Sequence, residues 1–319
     1  TGASNANLAI ILVDARNGIT DQTKRHSIIS AILGIQHILV CINKMDLVDY
    51  SEEKYKQIES DYLTFAQQLI PKAIGIKDIS FIPASALAGD NVVTKSEKMT
   101  WYKGKPLLEF LETVEIAEAK QTELSRFQVQ YVIRPQTDDL HDYRGFAGRV
   151  VSGTYQKGQK VTILPSGIET TIDKIEVNQQ EVEKVDTNTP VVLHLKDDVD
   201  ISRGNSIVPT EYLPKTEKEI TATICWMDNA AYIPGQKILL QQNSFRTKAV
   251  VKEVISKVDI HSFKALESDG AMKLNDICKV LIKTAEPVSF DSYKDNRSNG
   301  AFILINENTN NTIAAGTID

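Results

Sequence analysis

One four-residue motif, Asn43-Lys44-Met45-Asp46, follows directly after an apolar run that predicts a buried strand. A carboxylate such as that of Asp46 can accept hydrogen bonds from both the ring N–H and the exocyclic amine of guanine. Adenine offers no such pair of donors, and a buried polar group left without partners costs roughly 1–3 kcal/mol. The motif therefore predicts guanine binding, with the Lys44 stem along the base and the Asn43 amide tying the loop to its neighbours.

A second motif, Ser85-Ala86-Leu87, follows the next predicted strand in the matching position. Ligands of an open α/β sheet bind outside the carboxyl ends of its strands. We predict that Ser85, Ala86 and Leu87 complete the base site, with the Ala86 backbone N–H donating to the guanine 6-oxo group. The tripeptide is common, so this prediction depends on its pairing with the first motif.

The sequence contains no phosphate-binding loop of the form G-x-x-x-x-G-K-[ST]. The nearest approach, Gly153 to Gly158, is followed by Gln159 and predicts a turn between strands. Without that loop the chain has few backbone donors for phosphates and no Ser or Thr hydroxyl for magnesium. We therefore expect no metal site and no catalytic residue in this chain.

The remaining polar clusters have less specific interpretations. The five histidines are dispersed and lack zinc-type spacing. Two acidic groups are more typical of solvated loops than of a catalytic pair: Asp138, Asp139 and Asp142, and Asp197, Asp198 and Asp200. Trp101, Tyr102 and Trp226 are predicted to pack in the core. Arg134 and the stretch Arg144–Gly148 are equally compatible with an anion or partner site and with a barrel corner stabilised by arginine.

The elements around these motifs indicate an α/β fold in the first third of the chain. Apolar strand patterns alternate with helical patterns up to about residue 115, which predicts a parallel sheet. The predicted strands are Leu8–Val13, His37–Ile42 and Ile79–Ile82; the predicted helices are Asp21–Leu33, a long one opening at Ser51, and Lys105–Val114. Three strands make a thin sheet, so we expect that an upstream part of this domain is missing.

The rest of the chain predicts two all-β barrels. A polar linker over 116–126 is followed by short β-rich runs separated by turn signals such as Lys157-Gly158. The first series includes Lys160–Leu164. A second series, which includes Ile238–Gln242 and Ile277–Lys283, begins after Pro214. The predicted domains are therefore 1–120, the C-terminal part of an α/β nucleotide-binding domain, and two barrels, 121–213 and 214–319.

Composition excludes several other classes. The chain has 319 residues, of which 42% are hydrophobic and 24% charged, and its formal net charge is −6. No apolar run approaches the ~18 residues of a membrane helix, and no signal peptide is visible. We expect no membrane partner, no nucleic-acid partner and a cytoplasmic location, which the three widely spaced cysteines also favour.

These features together resemble a known family. The chain is similar to the large, GTPase subunit of bacterial sulfate adenylyltransferase (ATP sulfurylase), which belongs to the translation-factor class of GTPases. Besides the two base motifs, the resemblance rests on stretches spread over the whole chain: Thr1–Ser4, Asp14–Gly18, Asp21–His26, Trp101-Tyr102, Gln130–Pro135, Arg144–Gly148, Leu164–Gly167, Asp200–Gly204, Trp226-Met227 and Val258–Ile260.

The resemblance implies a role in sulfate assimilation and cysteine biosynthesis. A small catalytic subunit makes adenylyl sulfate and pyrophosphate from ATP and sulfate, and the large subunit of the heterodimer couples GTP hydrolysis to that nucleotidyltransferase reaction. GTP would bind with Mg²⁺ in the complete protein. The family's phosphate loop, first switch and Asp-x-Pro-Gly-His segment are absent from this sequence, so we expect the chain alone to be inactive. No adenylyl-sulfate kinase domain is expected in it.

Two alternatives stay open at this point. One is a translation elongation or release factor, which shares the base motifs and the order of domains. The other is a non-catalytic fragment that binds its partner subunit without hydrolysing GTP, which the missing phosphate loop favours.

Overall fold

The computed structural model of the chain describes residues 6–69, 76–115, 124–135, 143–259 and 264–319. Four sequence predictions fall on the other residues in whole or in part: the linker at 116–126, the acidic group at 138–142, and the motifs Thr1–Ser4 and Val258–Ile260. Among the described residues, no helix is both long and apolar enough to cross a membrane.

The first third of the chain contains the predicted parallel sheet. Its strands are β1 (Leu8–Asp14), β2 (His37–Asn43) and β3 (Asp78–Pro83), in the spatial order β1-β2-β3 with both pairings parallel. The central strand β2 is buried along nearly its whole length, which explains its continuous apolar sequence. The parallel order brings the carboxyl ends of all three strands to one edge of the sheet.

Helices α1 (Asp21–Ile32), α2 (Glu52–Leu69) and α3 (Leu107–Thr113) follow the strands, and a short 3-10 helix covers Met45–Val48. An apolar stripe of α2 packs into the core of this unit through Tyr55, Ile58, Tyr62 and Ala66. Gly34, which follows α1, has a φ of 61°, the left-handed conformation that glycine commonly adopts just after a helix.

Thr20 begins α1. Its hydroxyl accepts a hydrogen bond from the Thr23 backbone N–H at 3.3 Å, and the Thr23 hydroxyl lies 3.4 Å from the Thr20 backbone N–H. The reciprocal pair satisfies two backbone donors that the helix itself leaves unpaired.

We expect Thr20→Ala to lower the free energy of unfolding of this unit by about 1 kcal/mol, because Ala offers no cap acceptor. Thr20→Ser keeps the acceptor and is the matched control. Equilibrium unfolding of both variants checks this; equal stability of the Ala and Ser variants would contradict the capping role.

The second part of the chain forms two closed barrels. The strands of the first are β4 (Arg126–Ile133), β5 (Gly145–Ser152), β6 (Thr154–Gln156), β7 (Lys160–Leu164), β8 (Ile168–Val177), β9 (Gln180–Glu181), β10 (Lys184–Asp186), β11 (Pro190–Leu195) and β12 (Ser206–Pro209). Six of them, in the order β11-β5-β4-β12-β7-β8, form a barrel that closes through a β11–β8 pairing. The stretch Gly153–Gly158 contains strand β6 and a turn, as predicted, and is not a phosphate loop.

The elements of the second barrel are β13 (Lys215–Trp226), β14 (Ile238–Gln242), β15 (Phe245–Val258), β16 (Ala265–Glu267), β17 (Ile277–Phe290), α4 (Arg297–Gly300), β18 (Ala301–Asn306) and β19 (Thr312–Ile318). Six of its strands, in the order β14-β18-β19-β13-β17-β15, close the barrel through a β14–β15 pairing. Trp226 is buried in this core, as predicted.

Buried polar side chains join the two barrels, which form one compact unit. Arg126 of the first barrel donates from Nε and Nη2 to the two carboxylate oxygens of Asp291 in the second, both at 2.8 Å. Asn299 Nδ2 donates to the same carboxylate at 2.8 Å, and Asn296 Nδ2 donates to Ser152 Oγ at 2.7 Å. The Arg126–Asp291 and Asn296–Ser152 bonds connect the two barrels, and Asn299 orients the Asp291 carboxylate.

Candidate nucleotide-base site

The two predicted base motifs lie side by side at the carboxyl edge of the sheet. Asn43 is the last residue of β2, and Ser85 follows the end of β3 by two residues. The backbone ties the two loops together, because the Met45 N–H donates to the Ala84 carbonyl at 3.1 Å. The structure therefore brings together all six predicted site residues: Asn43, Lys44, Asp46, Ser85, Ala86 and Leu87.

Asn43 holds both loops through one atom. Its Oδ1 accepts hydrogen bonds from the backbone N–H of Lys44 at 2.8 Å and of Ala86 at 2.9 Å. The first is local, whereas the second crosses to the neighbouring loop. The Ala86 N–H, which the sequence assigns to the guanine 6-oxo group, therefore already has a partner. In the structure its role is to bind the two loops together.

Asp46 is oriented by Ser85. The fully buried Ser85 hydroxyl donates to Asp46 Oδ1 at 2.5 Å and accepts from the Ala88 N–H at 3.2 Å. The other carboxylate oxygen, Oδ2, accepts no hydrogen bond from the part of the chain that the structure describes. One oxygen is thus fixed and the other is available to a ligand.

Lys44 reaches across to the loop after β1. Its backbone has a φ of 65°, and its Nζ donates to Asp14 Oδ2 at 2.9 Å. Arg16 binds the same carboxylate, with Nη2 at 2.7 Å from Oδ2 and Nε at 3.0 Å from Oδ1. These two cations, Arg16 first, hold the pKa of Asp14 well below its usual range. Asp14 therefore stays ionised and fixes the direction of the Lys44 stem.

Sequence reasoning did not assign Asp14 and Arg16 to the site. The signal was present, because Asp14 ends β1 just as Asn43 ends β2, and parallel strand ends meet at one edge. Their opposite charges two residues apart first suggest a local turn, and only the register with β2 reveals the contact with Lys44.

The loop that carries Ser85 is supported by a polar network that the sequence also did not predict. Asn91 Nδ2 donates to the Pro83 carbonyl at 3.0 Å. Asp90 accepts from the Ser96 hydroxyl at 2.7 Å and from the Tyr50 hydroxyl at 3.0 Å, and the bond from Ser96 is the main cause of its lowered pKa. The network couples this loop to the end of the first motif's loop at Tyr50.

Leu87, the last of the predicted site residues, lies on the surface of the molecule. Its side chain is 93% exposed, so it contributes nothing to the core of this unit. Leu47, next to Asp46, is also exposed. A planar apolar ligand resting on these side chains would remove apolar surface from water, which is favourable. Leu87 is thus compatible with covering the face of a base.

We expect Asn43→Ala to accelerate hydrogen exchange of the Ala86 amide by about 3- to 10-fold, the effect of losing one ordinary hydrogen bond. Exchange measured by NMR or mass spectrometry checks this. The Ala84 amide, bonded to the Ile42 carbonyl at 2.8 Å, serves as the internal control. Unchanged protection of Ala86 would show that Asn43 does not join the loops.

Several of the remaining candidates have structural roles. Trp101 and Tyr102 pack against the core of the first unit, as predicted. Trp101 Nε1 also donates to the Tyr50 carbonyl at 3.0 Å. Within the described ranges, no three His, Cys, Asp or Glu side chains come together as a metal site. Cys41 and Cys278 are buried free thiols. Arg144 forms ion pairs with Asp198 and Asp200.

The architecture and the site define a class of protein. Residues 1–125 match the model of the elongation factor Tu GTP binding domain, and residues 219–319 match the GTP-eEF1A C-terminal domain-like model. Sup35 complexed with GMPPNP has the same fold over 99% of this chain and 79% of its own, with a TM-score of 0.56 at 21% identity. Elongation factor SelB of Methanococcus maripaludis has this fold over 100% of this chain and 66% of its own, with a TM-score of 0.52 at 21% identity. The chain thus has the fold of translation-factor GTPases.

Within that class the chain is a relative of sulfate adenylyltransferase subunit 1. It is 46% identical to that protein of Alteromonas mediterranea and 42% identical to that of Colwellia psychrerythraea, over the whole of this chain in both cases. It is also 40% identical to the bifunctional enzyme CysN/CysC of Mycobacterium tuberculosis, over 51% of that protein. The chain spans about two thirds of the two subunit 1 proteins, 65% and 66%.

Proposed function

We propose that this chain is part of the GTP-binding regulatory subunit of a sulfate adenylyltransferase. The observation that carries the proposal is the Asn43–Asp46 and Ser85–Leu87 pair of loops, joined at one sheet edge, in a chain that resembles subunit 1 over its whole length. Neither observation alone would be sufficient. Elongation factors share the two loops, and sequence similarity to subunit 1 does not by itself locate a binding site.

The guanine base would bind between the two loops. Asp46 Oδ2 accepts one donor of the guanine ring edge, and Oδ1, which Ser85 already holds, accepts the second. The Lys44 stem, directed by Asp14, lies along one face of the base. Leu87 covers apolar surface at the edge of the site. Asn43 acts by positioning, since its Oδ1 keeps the two loops at a fixed separation.

The reaction proposed for the two-subunit enzyme places no catalytic step on this chain. Sulfate attacks the α-phosphate of ATP on the small subunit, which releases pyrophosphate and forms adenylyl sulfate. The large subunit couples GTP hydrolysis to that step through a nucleotide-dependent rearrangement. Mg²⁺ would accompany GTP in a protein of the relatives' full length, in the cytoplasm.

We expect the 319-residue chain by itself to bind GTP poorly, because it offers base contacts without the phosphate loop that supplies much of the affinity in GTPases. Calorimetric titration with GTP and Mg²⁺ checks this. Binding below 1 µM would mean that phosphate contacts come from residues that we have not identified.

Association with a small nucleotidyltransferase subunit tests the proposal against its two alternatives. The protein at the relatives' full length, co-expressed with such a subunit, should co-purify with it and should not retain aminoacyl-tRNA on a filter. Binding of aminoacyl-tRNA would support a translation factor. Association without any effect of GTP on pyrophosphate release would support a non-catalytic module.

A further inference from the structure

A cavity of about 530 Å³ opens on the first barrel, and the base site does not use it. Its wall contains four cationic side chains, Arg134, Arg144, Lys174 and Lys196, and three carboxylates, Asp173, Asp197 and Asp198. Its volume lies in the range of ordinary small-molecule pockets. The sequence left Arg134 and Arg144 open between an anion site and a structural corner.

Both arginines converge on one exposed carboxylate. Arg144 Nη1 forms an ion pair with Asp198 Oδ1, and Arg134 Nη2 lies 3.8 Å from the same oxygen. Arg144 Nη2 also lies 3.7 Å from Asp200 Oδ1. The Asp198 side chain is 81% exposed, whereas that of Arg144 is 17% exposed. The positive partner is therefore built into the wall, and the negative partner is a solvated loop residue that an incoming anion can replace.

The barrel holds Arg144 in place independently of Asp198. The His194 ring donates from Nδ1 to the Arg144 carbonyl at 2.9 Å. Gly145 allows this close packing, because a Cβ there would lie 2.5 Å from Val192 Cγ1 and 3.3 Å from His194 Cε1. Arg144 Nε is buried and has no hydrogen-bond partner among the described residues. The guanidinium thus retains a donor that its present ion pairs do not use.

An aromatic side chain lines the same cavity. The Tyr143 hydroxyl donates to Glu176 Oε2 at 2.8 Å, and its ring meets the His194 ring edge-on, with 4.9 Å between centroids. Burial is the main reason that the pKa of Tyr143 rises to about 12, so the ring stays neutral. A fixed, neutral ring suits packing against a second planar group.

We propose that this cavity binds a small organic phosphate or sulfate. The oxyanion replaces Asp198 at Arg134 and Arg144, and a planar ring on the ligand packs against Tyr143. Arginine suits this ligand class because its planar fork can donate two parallel hydrogen bonds to an oxyanion. The proposal is independent of the GTP site, because it uses only residues of the first barrel.

Calorimetric titration of the 319-residue chain with phenyl phosphate and with phenyl sulfate tests it. We expect 1:1 binding of at least one of them, and no binding of phenol. Asp198→Asn should bind at least 3-fold more tightly, because it removes the internal competitor. Arg144→Gln should bind at least 10-fold more weakly. Arg134→Gln should also bind more weakly, and it provides a second variant at a side chain that is 62% exposed.

Asp173→Asn is the matched control, because Asp173 lines the cavity and carries the same charge but pairs with neither arginine in the described structure. It should change affinity by less than 2-fold. Equal gains from Asp173→Asn and Asp198→Asn would mean that general charge, not displacement, governs binding. That result, or unchanged affinity in both arginine variants, or binding of neither probe, would overturn the proposal.

Discussion

Replacing Asp46 by Asn in a protein of the relatives' full length should lower GTP affinity by about 10²- to 10⁴-fold, because the acceptor at Oδ2 is replaced by a donor that faces a guanine donor, and the acceptor at Oδ1 loses its charge. The same variant should gain affinity for xanthosine triphosphate. The Ser85 hydroxyl, which now donates to Asp46 Oδ1, would keep the amide oxygen in that position. The amide nitrogen would then occupy the place of Oδ2 and donate to the 2-oxo group of xanthine.

Competition between the two nucleotides for the variant measures this exchange of specificity. Asp49→Asn is the matched control: Asp49 is exposed in the same loop, and its φ of 52° suits Asn equally well. It should keep the wild-type preference for GTP. Wild-type affinities for both nucleotides in Asp46→Asn would place the base elsewhere.

The second large effect concerns stability. Arg126→Met should lower the free energy of unfolding of the two-barrel unit by about 3–5 kcal/mol, because it leaves the buried Asp291 carboxylate without its cation. The side chains of Arg126 and Asp291 are only 4% and 8% exposed. Arg126 Nη1 also donates to the buried Ser125 carbonyl at 2.9 Å and to the Tyr212 carbonyl at 2.8 Å, and the substitution removes both bonds.

Chemical denaturation followed by the fluorescence of the buried Trp226 checks this value. The exposed pair Lys157–Glu181, 2.6 Å apart in the first barrel, provides the control. Lys157→Met should change stability by less than about 1 kcal/mol, as is usual for surface ion pairs. Equal effects of the two substitutions would show that the buried pair does not hold the barrels together.

Much of the fold could be predicted because its signals are local. Strands β1 and β2 are continuous apolar runs, although only β2 is buried along nearly its whole length; Ile10 and Leu12 of β1 are 41% and 65% exposed. Strands β7 and β14 begin and end at the predicted residues, Lys160–Leu164 and Ile238–Gln242. The short strands β6, β10 and β12 were not predicted, because three or four residues carry no clear alternation. Strand β17 runs on to Phe290, well past the predicted end at Lys283, although Pro287 interrupts its pattern.

The candidate site, like the fold, could be predicted only in part. Residue type and strand position located Asn43, Asp46 and Ser85, because ligand-binding loops follow strand ends. The hydrogen bond from the Ala86 amide to Asn43 and the contact between Lys44 and Asp14 depend on the separation of loops that are distant in sequence. No pattern in the sequence encodes that separation, so the positioning role of Asp14 emerges only in three dimensions.

The most direct test of the proposed role is pyrophosphate release from ATP and sulfate by the full-length protein in complex with its small subunit, measured with and without GTP. The wild-type complex should be stimulated by GTP. Asp46→Ala should lose that stimulation and leave the basal rate nearly intact, because the proposed role of Asp46 is to bind the guanine base and not ATP or sulfate. Undiminished GTP stimulation in Asp46→Ala, or a wild-type complex that GTP does not affect, would contradict the assignment of this site and of its function.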